Sequence, residues 1–155
     1  MRLGLVGLAV LLATGTMALA EDMKAAINTS DIKWSAAPKM LPPGARWFVL
    51  SGDPTKEGPF AIRVQLPAHY QVPAHSHPTA ETITVLSGRV LFGMGDKLDE
   101  KKGTVLKDGG FAEAPAKMNH YVSAIYASVI EIHSVGPFAI TYVDAADDPR
   151  NAPAR

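Results

Sequence analysis

The sequence predicts an all-β domain, a barrel or sandwich of short strands. Three observations carry that expectation. Residues 60–66 and 81–87 alternate side chains with a period of two, as strands with one buried face do. Gly and Pro, 13 and 12 of 155 residues, interrupt the chain at close intervals and keep its apolar runs short. No stretch holds a strong helical period, and no segment repeats.

The first twenty residues stand outside this domain. Arg2 supplies a positive start, residues 3–12 are apolar, and Ala18-Leu19-Ala20 has the small-x-small form of a cleavage site. The apolar run falls short of the roughly 20 residues a membrane span needs. Residues 1–20 therefore read as a secretory signal cut before Glu21, rather than as a retained anchor. The expected destination is a periplasm or the exterior, with no stable membrane insertion afterwards.

Residues 21–44 are irregular, limited by Pro38, Pro42 and Pro43, and with Trp34 they suggest an arm laid on the barrel or a loose tail. Residues 45–143 carry the barrel strands. Trp47-Phe48-Val49-Leu50 reads as a buried strand ended by Ser51-Gly52-Asp53-Pro54. In 60–66, Ile62, Val64 and Leu66 share the core face, and Arg63 and Gln65 the other. Residues 72–77 form the next strand. In 81–87, Glu81, Ile83 and Val85 share one face, so a Glu81 turned inward would have the other two beside it. Ser87-Gly88 reads as a hairpin turn into Val90-Leu91-Phe92.

Residues 93–102 form a solvated loop in which Lys97, Lys101 and Lys102 are balanced by Asp96, Asp99 and Glu100. Residues 104–106 are a short strand, Gly109-Gly110 a turn, and Phe111-Ala112-Glu113 the strand after it. Runs at 121–125, 128–133 and 138–143 complete the set. Residues 144–155, rich in Ala, Asp and Pro, are expected to form a flexible tail.

Composition narrows the partners. With 15 basic and 15 acidic side chains the chain has no electrostatic footprint for nucleic acid or anionic membrane. The absence of Cys removes disulfides and thiolate metal sites.

The chemistry gathers at His75-Ser-His77-Pro-Thr-Ala-Glu81. On a strand, residues two apart point the same way, so His75 and His77 can reach one ion together. Glu81 follows a break at Pro78 and offers a carboxylate oxygen. His120 arrives later, after Gly109-Gly110 and Pro115. Imidazoles with a carboxylate suit a divalent transition metal, with Fe, Mn, Cu, Ni and Zn all open. A histidine-bearing surface turn is the alternative.

His75-x-His77-x3-Glu81-x6-Gly88 resembles the first motif of the cupins, and Gly109-x5-Pro115-x4-His120 their second. The similarity spans residues 60–124. It implies a double-stranded β-helix, or jelly-roll barrel, with His75, His77, Glu81 and His120 as metal ligands, and pairing into a homodimer. His69 and Lys117 stand where the motifs usually carry Gly, and Ala124 where the second often ends in Asn. None of these departures touches a ligand.

Four protein ligands leave two positions open on a six-coordinate ion, and none on a tetrahedral one. The expected function is an exported metal-dependent enzyme acting on a small organic molecule with adjacent oxygens, with dioxygenase or oxidase chemistry ahead of Lewis-acid chemistry. A metal- or ligand-binding module without turnover is the alternative. Glu81 doubles as a candidate base, and Tyr121 and Glu113 are weaker acid or base candidates. His69 and His133 read as structural or exposed rather than catalytic, and Arg63 and Gln65 reach a substrate only if their face is the cavity face.

Overall fold

A computed structural model describes residues 26–152, so the signal segment expected at 1–20 lies outside the described residues. The chain divides into two compact units, Met1–Asp31 and Ile32–Arg155. In the first, the described part is a single 3-10 turn, Thr29–Asp31, with Asn28 and Ser30 bonded to the Asp31 carboxylate. The second is all-β.

Among the described residues of this second unit, eleven strands run in chain order: β1 Ser35–Ala36, β2 Arg46–Ser51, β3 Gly58–Leu66, β4 Gln71–Ser76, β5 Glu81–Ser87 and β6 Val90–Met94. They continue as β7 Thr104–Leu106, β8 Phe111–Ala114, β9 His120–Ala124, β10 Ser128–Gly136 and β11 Thr141–Tyr142. One sheet has the order β1-β2-β3-β10-β5-β8, the other β11-β4-β9-β6-β7. Strand pairing is antiparallel, and the two sheets form the expected jelly roll.

The period-two reading holds where it is clearest. Ile62, Val64 and Leu66 are buried while Arg63 and Gln65 are half-buried, and Glu81, Ile83 and Val85 are buried against outward Thr82 and Thr84. Ile130 and Ile132 of β10 complete this inner face between β3 and β5. Each such Val or Ile removes its side chain from water, worth about 1.5–3 kcal/mol. The arm joins the same core from 32 onward. Ile32 is buried, and Met40 and Leu41 pack against the cluster.

Three expectations change. Ser87-Gly88 makes no hairpin, because β5 keeps its pairing with β10 to Ser87 while Val90 pairs with Ala124 in the other sheet. The turn is a corner between sheets. Gly88 sits at φ 97°, a Cβ there would strike Ser128 and Ala127, and its N–H donates to Asp108 Oδ1 at 2.9 Å. The run at 138–143 is ladder only at Thr141–Tyr142; before that it lines the interior. The segment after Asp144, expected to be loose, is folded through Asn151 in two 3-10 turns capped by Asp144 and Asp148. Arg150 anchors them by donating to the Ile140 carbonyl at 2.9 Å and to Asp148.

Candidate metal centre

Three histidines arrive on neighbouring strands of the smaller sheet. His75 lies near the end of β4, His77 just beyond it, and His120 opens β9, where it stands directly opposite His75. The loop inside the second motif is tied to the first motif. Met118 N–H closes a turn on Pro115, and Lys117 N–H donates to the His77 carbonyl at 2.8 Å. Lys117 adopts φ 64° to do so, and His69 adopts φ 63° as its N–H reaches Ala124 O at 2.7 Å. Both residues thus keep the left-handed conformation that Gly takes more easily.

The imidazoles are oriented alike. Nδ1 of His75, His77 and His120 faces the carbonyls of Pro73, Ala139 and Met118 at 2.7, 2.8 and 3.1 Å. A carbonyl only accepts, so each Nδ1 holds the hydrogen and each Nε2 presents its lone pair. Such outer bonds orient metal-binding histidines. The rings are also held by packing, Phe138 stacking on His77 at 4.7 Å and Phe92 on His120 at 5.6 Å between centroids.

The ligand atoms of the three histidines lie within 4.8 Å of one another. Glu81 approaches from β5 in the other sheet, with Oε2 3.4 Å from His77 Nε2 and 3.3 Å from His120 Nε2. These contacts leave both nitrogens without a hydrogen bond, and all four side chains are buried. Unpaired polar atoms in a dry interior are costly, about 1–3 kcal/mol each. A cation placed among them satisfies them together, so the residues present fit a metal ion. The triple-histidine set suits a divalent one.

The electrostatics are consistent with this fit. Burial holds His75 down to about 3, helped by its histidine neighbours, so its ring is neutral and free to donate electrons to an ion. For Glu81, burial pushes up but the contacts to His120 and His77 prevail and bring the carboxyl down to about 2. Burial also opposes charge on His77, yet Glu81 draws its proton affinity up, which marks a place that favours positive charge.

The weaker acid and base candidates are not brought to the site. His120 faces inward, so Tyr121 faces the outside of the same strand, where its hydroxyl lies 3.1 Å from the Asp99 and Lys102 carbonyls. Glu113 is exposed on β8, opposite outward-facing Thr82. His69 is exposed, and so is His133, which contacts Glu131 at 3.0 Å. Arg63 bonds Glu131 at 2.8 Å across the outer face of β3 and β10. Sequence reasoning misses Phe138, the Ala139 carbonyl and the arm residues Met40 and Leu41 near the site. The apolar run at 138–143 is the available signal, but by itself it reads as a strand.

Fold and site define a small jelly-roll protein with a buried triple-histidine centre. The chain belongs to the ChrR cupin-like domain family, whose model matches residues 22–138. No curated protein matches the sequence. Among solved structures it is similar to a putative acetylacetone dioxygenase of Methylibium petroleiphilum (19% identity, 86% of this chain and 90% of that one, TM-score 0.62). It is also similar to a polyketide cyclase of Streptomyces resistomycificus (14%, 82% and 90%, 0.66). A salicylate 1,2-dioxygenase of Pseudoaminobacter salicylatoxidans matches over 67% of this chain and 32% of that one (14%, 0.54). At these identities the likeness is one of fold.

Proposed function

We propose that this is an exported metal-dependent enzyme that acts on a small organic substrate bearing adjacent oxygens, with dioxygenase or oxidase chemistry. The observation that carries the reading is the pair of buried Nε2 atoms, on His77 and His120, left unpaired with the Glu81 carboxyl 3.4 and 3.3 Å away. His75, His77, Glu81 and His120 would hold the ion. A bound redox metal would supply binding of dioxygen and of the chelating oxygens; a non-redox one would polarise a carbonyl or activate water. Dioxygenases among the structural neighbours support the first of these, and the cyclase keeps Lewis-acid chemistry as the second reading.

The chain's own contributions follow from its geometry. The carbonyls behind His75, His77 and His120 fix the direction of each Nε2. Glu81 serves as a ligand better than as a base, because its Oε2 sits beside the two unpaired Nε2 atoms that an ion would satisfy. In the same reading, residues 1–20 direct export and the barrel pairs into a homodimer.

Oxygen uptake by Fe(II)-loaded protein, screened with vicinal and 1,3-dioxygenated compounds, tests the proposal. Uptake that needs both substrate and His77 is expected. A His77→Ala protein that keeps full metal and full turnover would overturn it. Loaded wild-type protein with every coordination position filled by the chain, and no turnover, would favour a binding module.

A further inference from the structure

The interior cavity beside the histidines carries information that the ligands do not. It has a volume of about 40 Å3, room for roughly three waters. Ile62 and Val64 of β3, Ile83 of β5, and Ile130 and Ile132 of β10 form its wall. His75, His77 and Glu81 are the titratable side chains that reach it among the described residues, and no Lys or Arg does. Arg63, the nearest candidate in sequence, is turned to the outer face and engaged with Glu131. The rest of the wall comes from Trp47 of β2, from apolar positions on β4 and β9, from Phe138 and Ile140, and from the arm. Pro38, Met40 and Leu41 line the cavity, and this stretch is tied down by two hydroxyls: Tyr142 donates to the Met40 carbonyl at 2.8 Å, and Tyr70 to that of Pro42 at 2.5 Å.

We infer, building on the metal centre proposed above, that the substrate is uncharged and apolar beyond its chelating oxygens, and short in that direction. A hydroxyl-rich ligand such as a sugar would press most of its remaining hydroxyls against isoleucine and valine, with the Trp47 indole N–H as the one side-chain donor in the lining outside the metal site. A carboxylate away from the metal would meet no Lys or Arg on this wall and would lose its hydration without a partner. A short alkyl group does what the wall does, giving up water without losing a hydrogen bond. Length is limited by the arm, since a longer tail meets Met40 and Leu41 and must displace a segment held by both tyrosines.

The test uses the full mature chain loaded with Co(II), whose visible absorption reports both ion uptake and binding of a further ligand. Acetohydroxamate, butyrohydroxamate and succinic monohydroxamate share one chelating head and differ only in the tail. Butyrohydroxamate should bind about tenfold or more tighter than acetohydroxamate, at about fourfold per buried methylene. Succinic monohydroxamate, of similar length but charged at neutral pH, should bind more than about tenfold weaker than butyrohydroxamate. Equal or tighter binding of the charged tail would overturn the inference while leaving the metal centre standing, as would a loaded protein that none of the three perturbs. Failure to take up Co(II) at all would overturn the metal centre, and this inference with it.

Discussion

Two glutamates on neighbouring strands of one sheet show how this fold separates structure from chemistry. Glu131 on β10 faces outward between Arg63 and His133, with bonds of 2.8 and 3.0 Å that satisfy it. Glu81 on β5 faces inward between His77 and His120, at 3.4 and 3.3 Å, and leaves both nitrogens unpaired. The residue types are nearly the same, and what differs is the account of hydrogen bonds. A cluster that completes its own bonding at a half-exposed surface holds strands together and asks for nothing more. A cluster that stays incomplete in a dry core calls for a ligand.

The sharpest way to break this contrast is to remove an inner histidine. His120→Ala should weaken divalent-ion affinity by at least about 100-fold, more than the loss of a single outer hydrogen bond does. Titration calorimetry with Co(II) measures it. The corresponding outer change, His133→Ala, should leave the affinity unmoved.

The two sides of one strand give the next test. Gly93 on β6 lies opposite Tyr121, and a Cβ there would run into the Tyr121 ring. Gly93→Ala should cost about 1–3 kcal/mol in chemical unfolding, because the pinned ring must shift. Metal stoichiometry should stay at its wild-type value, since His120 faces the other way.

A smaller effect belongs to the outer cluster. Partial burial pushes the Glu131 carboxyl up, but Arg63 and His133 prevail, so it lies below its ordinary 4.5 in the folded chain. Its contribution is therefore fully present above about pH 4.5 and is lost as the pH falls through the lowered folded value. Glu131→Gln should cost roughly 0.5–1 kcal/mol at neutral pH, and the gap from wild type should close in acid. Unfolding curves at pH 7 and in progressively stronger acid measure both.

The smallest changes concern the turns. His69→Gly and Lys117→Gly relieve residues held at φ 63° and 64°. Each should raise stability by a few tenths to about 1 kcal/mol in thermal unfolding, the gain being reduced by the freer unfolded chain.

What the sequence makes legible follows from the range of the interactions involved. The parity of β3 and β5 is readable because alternation is local, and the same rule puts His75 and His77 on a common face. His120 is reachable only through the motif resemblance, since nothing local joins it to a residue more than forty positions earlier. The corner at Gly88 escapes sequence reasoning because a glycine turn between two strands looks the same whether they pair with each other or with distant partners. Tyr121 and Glu113 sit close to the motif in sequence yet on the wrong face of their strands. The arm over the cavity is the least visible feature, because it is held by Tyr70 and Tyr142 through single bonds to its carbonyls. Irregular segments carry no period to announce such contacts.

The most direct test of the central claim is elemental analysis of the mature protein purified from its own host, with the His77→Ala variant prepared alongside. Close to one divalent transition-metal ion per wild-type chain is expected, and almost none in a folded variant. A wild-type protein free of metal, or a variant that keeps its full complement, would contradict it.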